Sequence, residues 1–310
     1  IDVDLQDVAE RALLEQMKNQ DALNGCVVLM EVETGYVKAI ANITQDTAKG
    51  TFNEARNLAV WQASEPGSTF KLASLMVALD DGKVRITDSV NIKHRYPYFD
   101  RVLRDDHAVP GKYTVQYAFE KSSNVISQII YDAYRSNPQE YVDGLKDIGL
   151  HKKLGVDIKG EGSPYIKDAN DSTFWGASHA WMAIGYEVLL TPLQMLSLYN
   201  AVANDGKMMK PQFVKEVRSG DEVVEVFNPI VLNEQVCSAE TNKILKGLLE
   251  GVVERGTAKN IRARGFKIAG KTGTAKIAKN GGYGKKYQAS FCGYFPADNP
   301  KYSCIVVIQG

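Results

Sequence analysis

An α/β (α+β) fold, an antiparallel sheet flanked by helices with a helical subdomain attached, is predicted by three observations. Strand-like alternation occupies both ends of the chain, helical periodicity occupies its middle, and neither an internal repeat nor a low-complexity linker separates them. Strands at both ends around a helical centre imply one sheet closed by the chain's own termini. Residues 1–310 then form a single unit, of which about 72–255 is mostly helical. With 44% hydrophobic residues in 310, the chain can bury a core of that size.

The elements follow in order. Asp4 can cap a helix in which Leu5, Val8, Ala12, Leu13 and Met17 recur at helical spacing, and Val3 can staple to Val8; the helix runs to about Lys18. Gly25 opens CVVLMEV, Thr34-Gly35 punctuates, and YVKAIANI follows, which reads as two antiparallel strands and a tight turn. Helices are expected at LASLMVALDDG, TVQYAFEKS, VISQIIYDAYR and PLQMLSLYNAVANDG, with Gly82 and Gly206 placed to form left-handed C-caps. From about Val90 to Lys112 no clean period appears, and matched basic and acidic residues give a solvated surface excursion. FVKEVRS and EVVEVF flank Gly220-Asp221 as a small hairpin, and AETNKILKGLLEGVVERG is a strong helix. The tail returns to strands at FKIAGKTGTAKI, YQASFCGYF and KYSCIVVIQG, with a turn from Pro296 to Pro300.

Bulk composition excludes some functions. Thirty-seven basic residues balance 37 acidic ones, so no general affinity for nucleic acid or acidic lipid follows. Cys26, Cys237, Cys292 and Cys304 lie in no metal-ligand spacing and are expected as buried thiols, a Cys292–Cys304 bridge being left open. His94, His107, His151 and His179 likewise lack ligand spacing, so no metal site is expected. No run of 18 apolar residues is present. Trp61, Trp175 and Trp181 read as packing residues ahead of groove residues.

The chemistry resides in an ordered trio: Ser68 and Lys71 in EPGSTFKLAS, Ser122-Ser123-Asn124, and Lys271-Thr272-Gly273-Thr274 in AGKTGTA. Pro66-Gly67 ends what precedes it, so Ser68 falls in the first turn of the helix that carries Lys71, and residues three apart share a helix face. A serine hydroxyl needs a base, and Lys71 can serve if burial or a second cation such as Lys271 disfavours its ammonium. Ser122 can relay a proton, and the Asn124 amide can hold a substrate peptide group and a lysine together; an ordinary N-cap is the competing reading. Gly270 and Gly273 permit close approach of a ligand to a strand on which Lys271 and Gly273 face one way and Thr272 and Thr274 the other. An edge strand there can pair with an extended peptide, and backbone N–H groups of Ser68 and Thr274 can form an oxyanion hole. One S-x-x-K arises by chance in roughly every chain of this length. The three motifs in order, each in a fitting context, are far more specific.

These residues make the chain resemble the transpeptidase domain of penicillin-binding proteins, over nearly all its length. IDVDLQDVAERAL, RNLAVWQASEPGSTFK, EKSSNV, MAIGYEVLLTPLQMLSLYNAVANDG and AGKTGTA look most like the class B, division-associated branch. The resemblance implies a fold of the penicillin-binding and serine β-lactamase type. It implies Ser68 as the acylated residue, Lys71 as its base, Ser122 and Asn124 as the second motif, and Lys271, Thr272, Gly273 and Thr274 as the third. Cross-linking of peptidoglycan stem peptides ending in D-Ala-D-Ala, acylation by β-lactams, and no metal or organic cofactor are implied with it. So are division proteins and a glycosyltransferase as partners, a periplasmic or extracytoplasmic location, and membrane contact only through an N-terminal anchor that this sequence does not contain. Family members usually continue past the last strand into a final helix. Glu187 stands where relatives commonly have glycine, and a surface position is expected for it. A serine β-lactamase is the nearest rival, but no E-x-x-x-N occurs between Asn124 and Lys271 to activate a deacylating water. A non-catalytic division scaffold needs no Ser68 with Lys71.

Overall fold

The computed structural model describes residues 1–105, 109–279 and 282–310; His107 lies outside them. The first helix, α1 (Val3–Asn19), is capped by Asp2 rather than Asp4: the Asp2 backbone is extended and its carboxylate accepts from Leu5 N at 3.1 Å, which leaves Asp4 in the first turn near the positive helix end. Val3 and Val8 are both exposed, so no staple forms; Leu13 and Met17 carry the burial. Strands β1 (Asn24–Glu31) and β2 (Val37–Asp46) pair antiparallel around the predicted turn, and β3 (Thr51–Asn53) extends that edge.

Helix α2 (Leu58–Trp61) and a 3-10 turn (Gly67–Phe70) lead into α3 (Lys71–Asp80), whose residues Lys71 to Ala78 are all buried. A helix enclosed on every side runs through the core rather than over it. The excursion expected to be solvated is instead organised: β4 (Ser89–Ile92) pairs with β7 (Gly111–Thr114), and β5 (Arg95–Tyr98) with β6 (Arg101–Arg104). Ile92, Tyr96, Tyr98, Leu103 and Asp105 are buried there. Short strands of four residues give too few alternations for a sequence period to register.

Beyond it lie α4 (Val115–Glu120), α5 (Val125–Tyr134), α6 (Pro138–Ile148), β8 (Tyr165–Ile166), α7 (Ser178–Met182) and β9 (Val188–Leu189). Helix α8 (Pro192–Ala203) opens with a capping box between Thr191 and Gln194 and is buried along its whole length. Then follow β10 (Met208–Met209), the β11 (Glu216–Ser219) and β12 (Glu222–Val226) hairpin, β13 (Val231–Asn233) and α9 (Ala239–Glu254). Gly82, with φ 66°, is the expected left-handed cap; after α8 that place is taken by Asp205 at φ 54°, and Gly206 follows it, its N–H donating to Ala201 O at 2.8 Å.

The chain closes with β14 (Ala269–Lys279), β15 (Gly282–Phe295) and β16 (Tyr302–Gln309). The main sheet has the order β14-β15-β16-β1-β2-β3, and β16 pairs antiparallel with β1 in the register Val28↔Ile305, so the termini do join one sheet. Its inner face meets α8 and α9, and α3 lies in the same core packed on α5, α6 and α9; α1 covers part of the other face through Leu13 and Met17. The four cysteines are free. Cys292 pairs with Ile305 and Cys304 with Gly293, so the two thiols sit on opposite faces of the sheet and cannot bridge. Among the described residues, no helix is long and apolar enough to cross a membrane.

Candidate active site

The nucleophile turn is built by close packing. Gly67 has φ +60°, its N–H donates to Gly185 O at 3.2 Å, and a Cβ at Gly185 would stand 2.2 Å from Gly67 O. Two neighbouring glycines therefore let the segment before Tyr186 lie directly on the turn that carries Ser68. Thr69 Oγ1 donates to Pro66 O at 3.0 Å, and Tyr199 OH donates to Thr69 O at 2.8 Å. Ser68 is 6% exposed in this turn, and Lys71 opens α3 immediately after it.

Lys71 is fully buried, and its amine points at the second motif. Nζ donates to Ser122 O at 2.6 Å, Asn124 Oδ1 at 2.8 Å and Ser122 Oγ at 3.5 Å. No hydrogen bond joins it to the Ser68 hydroxyl, contrary to the contact expected from the three-residue spacing, because its donors are directed to these acceptors. Ser122 holds φ +57°, a conformation costly for a residue with a Cβ, and this turns its carbonyl onto the amine. Burial pushes the Lys71 amine down to about 7, the charge of Asp105 acting the other way.

Asn124 occupies the N-cap position of α5 yet makes no capping hydrogen bond with its side chain. Its amide is spent otherwise: Oδ1 on Lys71, Nδ2 on Arg104 O at 2.8 Å. The competing cap reading is therefore met in position and not in bonding.

The third motif lies on β14, an edge strand of the main sheet. Lys271 is fully buried, donates to Thr272 O at 3.0 Å, and stands 5.8 Å from the Phe119 ring centroid. Burial, and then the charge of Lys71, holds its amine well below the ordinary lysine range. A Cβ at Gly273 would meet Ser290 Oγ at 2.4 Å and Thr69 Cγ2 at 3.0 Å, so only glycine lets this strand press against the nucleophile turn. Exposure alternates as predicted: Lys271 and Gly273 face inward, Thr274 is exposed, and Thr272 shares a 2.6 Å hydrogen bond with the Thr257 hydroxyl.

A cleft of about 480 Å³ opens at the second and third motifs, lined by Asn124, Thr274, Arg104, Tyr186, Trp181 and Lys276. Trp181 thus lines the groove while packing edge-on to Tyr98 at 5.3 Å. Glu187 is neither free on the surface nor unpartnered: at φ +58° it accepts from Lys167 Nζ at 2.7 Å and Trp175 Nε1 at 2.9 Å, with 15% of its side chain exposed. The left-handed backbone explains why glycine suits that position. Asp105 was not legible at all, since a single acid in a charge-balanced, aperiodic stretch carries no local signal. Among the described residues no group of His, Cys, Asp and Glu is arranged to hold a metal.

The family model for the penicillin binding protein transpeptidase domain matches residues 25–310. Penicillin-binding protein PbpB of Mycolicibacterium smegmatis is 29% identical over 97% of this chain and 48% of its own length. Stage V sporulation protein D of Bacillus subtilis is 31% identical over 82% of the chain and 39% of its own. The chain thus spans about half, or less, of these relatives. Among solved structures, the transpeptidase domain of penicillin-binding protein 3 from Burkholderia pseudomallei superposes with a TM-score of 0.84 at 26% identity, covering 100% of this chain and 87% of that one. Penicillin-binding protein 3 of Mycobacterium tuberculosis in complex with aztreonam gives 0.87 at 27% identity, covering 100% of this chain and 71% of that one. With its three motifs in mutual contact and its sheet and helices matching throughout, the chain belongs to the penicillin-binding protein transpeptidase domain family.

Proposed function

We propose that this chain is a serine-type D,D-transpeptidase domain of the class B, division-associated branch, with residues 1–310 as one catalytic unit. One observation carries the mechanism: a fully buried lysine amine, brought down to about 7, opens the helix that follows the Ser68 turn and is aimed at Ser122 and Asn124. A lysine in that range is partly neutral near pH 7 and can take the proton of Ser68. The hydroxyl rotates toward the amine as a D-alanyl-D-alanine terminus fills the cleft.

Ser68 Oγ attacks the penultimate D-alanine carbonyl, and its proton passes to Lys71. The oxyanion is received by backbone N–H groups of Ser68 and Thr274. Collapse breaks the peptide bond, and the departing D-alanine amine takes a proton from the Lys71 ammonium, with Ser122 as relay. The acyl-enzyme then yields to an amine from a second stem peptide, which forms the cross-link and returns the proton by the same route. Thr272, Gly273 and Thr274 hold the substrate backbone against the β14 edge, and Lys271 supplies a fixed dipole or charge beneath it. β-Lactams resemble the donor terminus and acylate Ser68. The reading places the domain on the periplasmic or extracytoplasmic side, with division proteins and a glycosyltransferase as partners.

Intact mass spectrometry of the protein mixed with excess penicillin tests this. One stable adduct on Ser68 is expected; complete turnover of the drug with no lasting adduct would indicate a β-lactamase instead.

A further inference from the structure

The segment that ends β6 grips the second motif at three points. The Asp105 carboxylate accepts from Ser123 Oγ at 2.5 Å and from Asn124 N at 2.7 Å, while Arg104 O accepts from Asn124 Nδ2 at 2.8 Å. Asp105 is fully buried. We propose that Asp105 is a positioning residue of the acyl-transfer site: a buried carboxylate that fixes the Asn124 amide and provides the counter-charge for the Lys71 ammonium formed when the serine proton is taken up. The inference rests on the transpeptidase reading above.

The capping of α5 shows how the residue acts. A helix start leaves backbone N–H groups unpaired, and Asn at the N-cap ordinarily satisfies one with its own side chain. Here the Asn124 N–H goes to Asp105, and the Val125 N–H goes to Ser123 Oγ at 3.1 Å. The Ser123 hydroxyl can face Val125 as an acceptor because its hydrogen is committed to Asp105. Asp105 thus takes over the capping function, and the Asn124 side chain is released to the cleft. Its orientation follows from Arg104 O, a pure acceptor that requires the nitrogen, which leaves the oxygen to accept from Lys71. One hydrogen of Nδ2 remains for a substrate carbonyl.

Charge adds a second, separable effect. Among the described residues, the charged groups acting on the Lys71 amine are Asp105 after β6 and, across the cleft floor, Lys271 on β14; Ser122 and Asn124 add neutral acceptors. Asp105 stabilises the protonated form and Lys271 opposes it. A carboxylate placed so eases the moment at which Lys71 holds the serine proton, as a buried acid does for an imidazolium base.

The test is the rate of Ser68 acylation by a fluorescent penicillin from pH 5.5 to 9, with thermal unfolding measured on the same samples. Asp105→Asn is expected to lower the plateau rate about ten-fold, through a misplaced amide. It should also move the acid limb, expected near 7 in the unsubstituted protein, to lower pH by about one, because the charge favouring ammonium is gone. Ser123→Ala keeps the charge and both Asn124 contacts while losing the two hydrogen bonds of its own hydroxyl, so the plateau falls less and the limb stays. An Asp105→Asn limb that does not move, or rates that fall only as far as the unfolded fraction explains, would overturn the proposal. Should Asp105→Asn not fold, a Ser123→Ala protein acylating at the unsubstituted rate overturns it equally. An unsubstituted protein that is never acylated on Ser68 rejects the transpeptidase reading itself, an outcome distinct from variants that merely match it.

Discussion

Two lysines of this site are equally buried and differently held. Lys71, at the head of a core helix, has two close acceptors and a nearby carboxylate; Lys271, on an edge strand, has one neighbouring carbonyl, an aromatic ring and the repulsion of Lys71. The first is brought to about 7, the second well below its ordinary range. Burial alone penalises both ammonium forms alike; the acceptors and charges around each decide how far its proton affinity falls. The contrast fits the proposed roles, proton transfer on the helical wall of the cleft and substrate holding on the strand wall.

The largest test removes what both walls serve. Ser68→Ala should abolish covalent labelling by fluorescent penicillin, with the melting temperature within about 2 °C of the parent, since only one hydroxyl is lost from the turn. Labelling that survives would place the nucleophile elsewhere.

Next, Lys71→Ala should slow acylation by about 10³-fold at pH 7.5, as expected for a lost general base, while Lys271→Ala slows it by about 10-fold to 100-fold. The reverse order would exchange the roles of the two lysines.

The strand wall can be strained on its own. Gly273→Ala puts a methyl group 2.4 Å from Ser290 Oγ and 3.0 Å from Thr69 Cγ2. A stability loss of about 1–3 kcal/mol in denaturant melts, with acylation slowed, is expected from such overpacking. A neutral outcome would mean that β14 does not press on the nucleophile turn.

The smallest effect is on stability against pH. The folded Lys71 amine titrates near 7 and the unfolded one near 10.5, so between those values the unfolded chain binds more protons and stability rises with pH. Below about 7 both states are charged and the contribution is flat. Comparing Lys71→Met with the parent by urea melts from pH 7 to 10 should show a shallower rise in the variant; equal slopes would place the Lys71 amine in an ordinary environment.

Much of the fold was legible because long periodic segments report their own burial. The alternation in KYSCIVVIQG marks a half-buried strand, the continuous apolar run CVVLM one buried on both faces, and the Thr191 before PLQMLSLYNAVANDG closes a capping box with Gln194. The cap at Asp2 was misplaced by two residues because both acids fit the pattern and only backbone geometry chooses between them. The β4–β7 region was misread because β4 and β7 pair across the intervening β5–β6 hairpin and all these strands are too short to show a period.

By itself, the sequence determined the identity and order of the proposed reactive groups, since Ser68, Lys71, Ser122, Asn124 and the 271–274 run are short local patterns. Only the tertiary structure decided how each is held. It turned the Asn124 amide away from its helix, directed Lys71 to Ser122 rather than to Ser68, and seated a carboxylate from an aperiodic stretch beneath them. Those outcomes depend on which groups meet across long sequence separations, and on the loss of water around them, neither of which is written in any local run of residues.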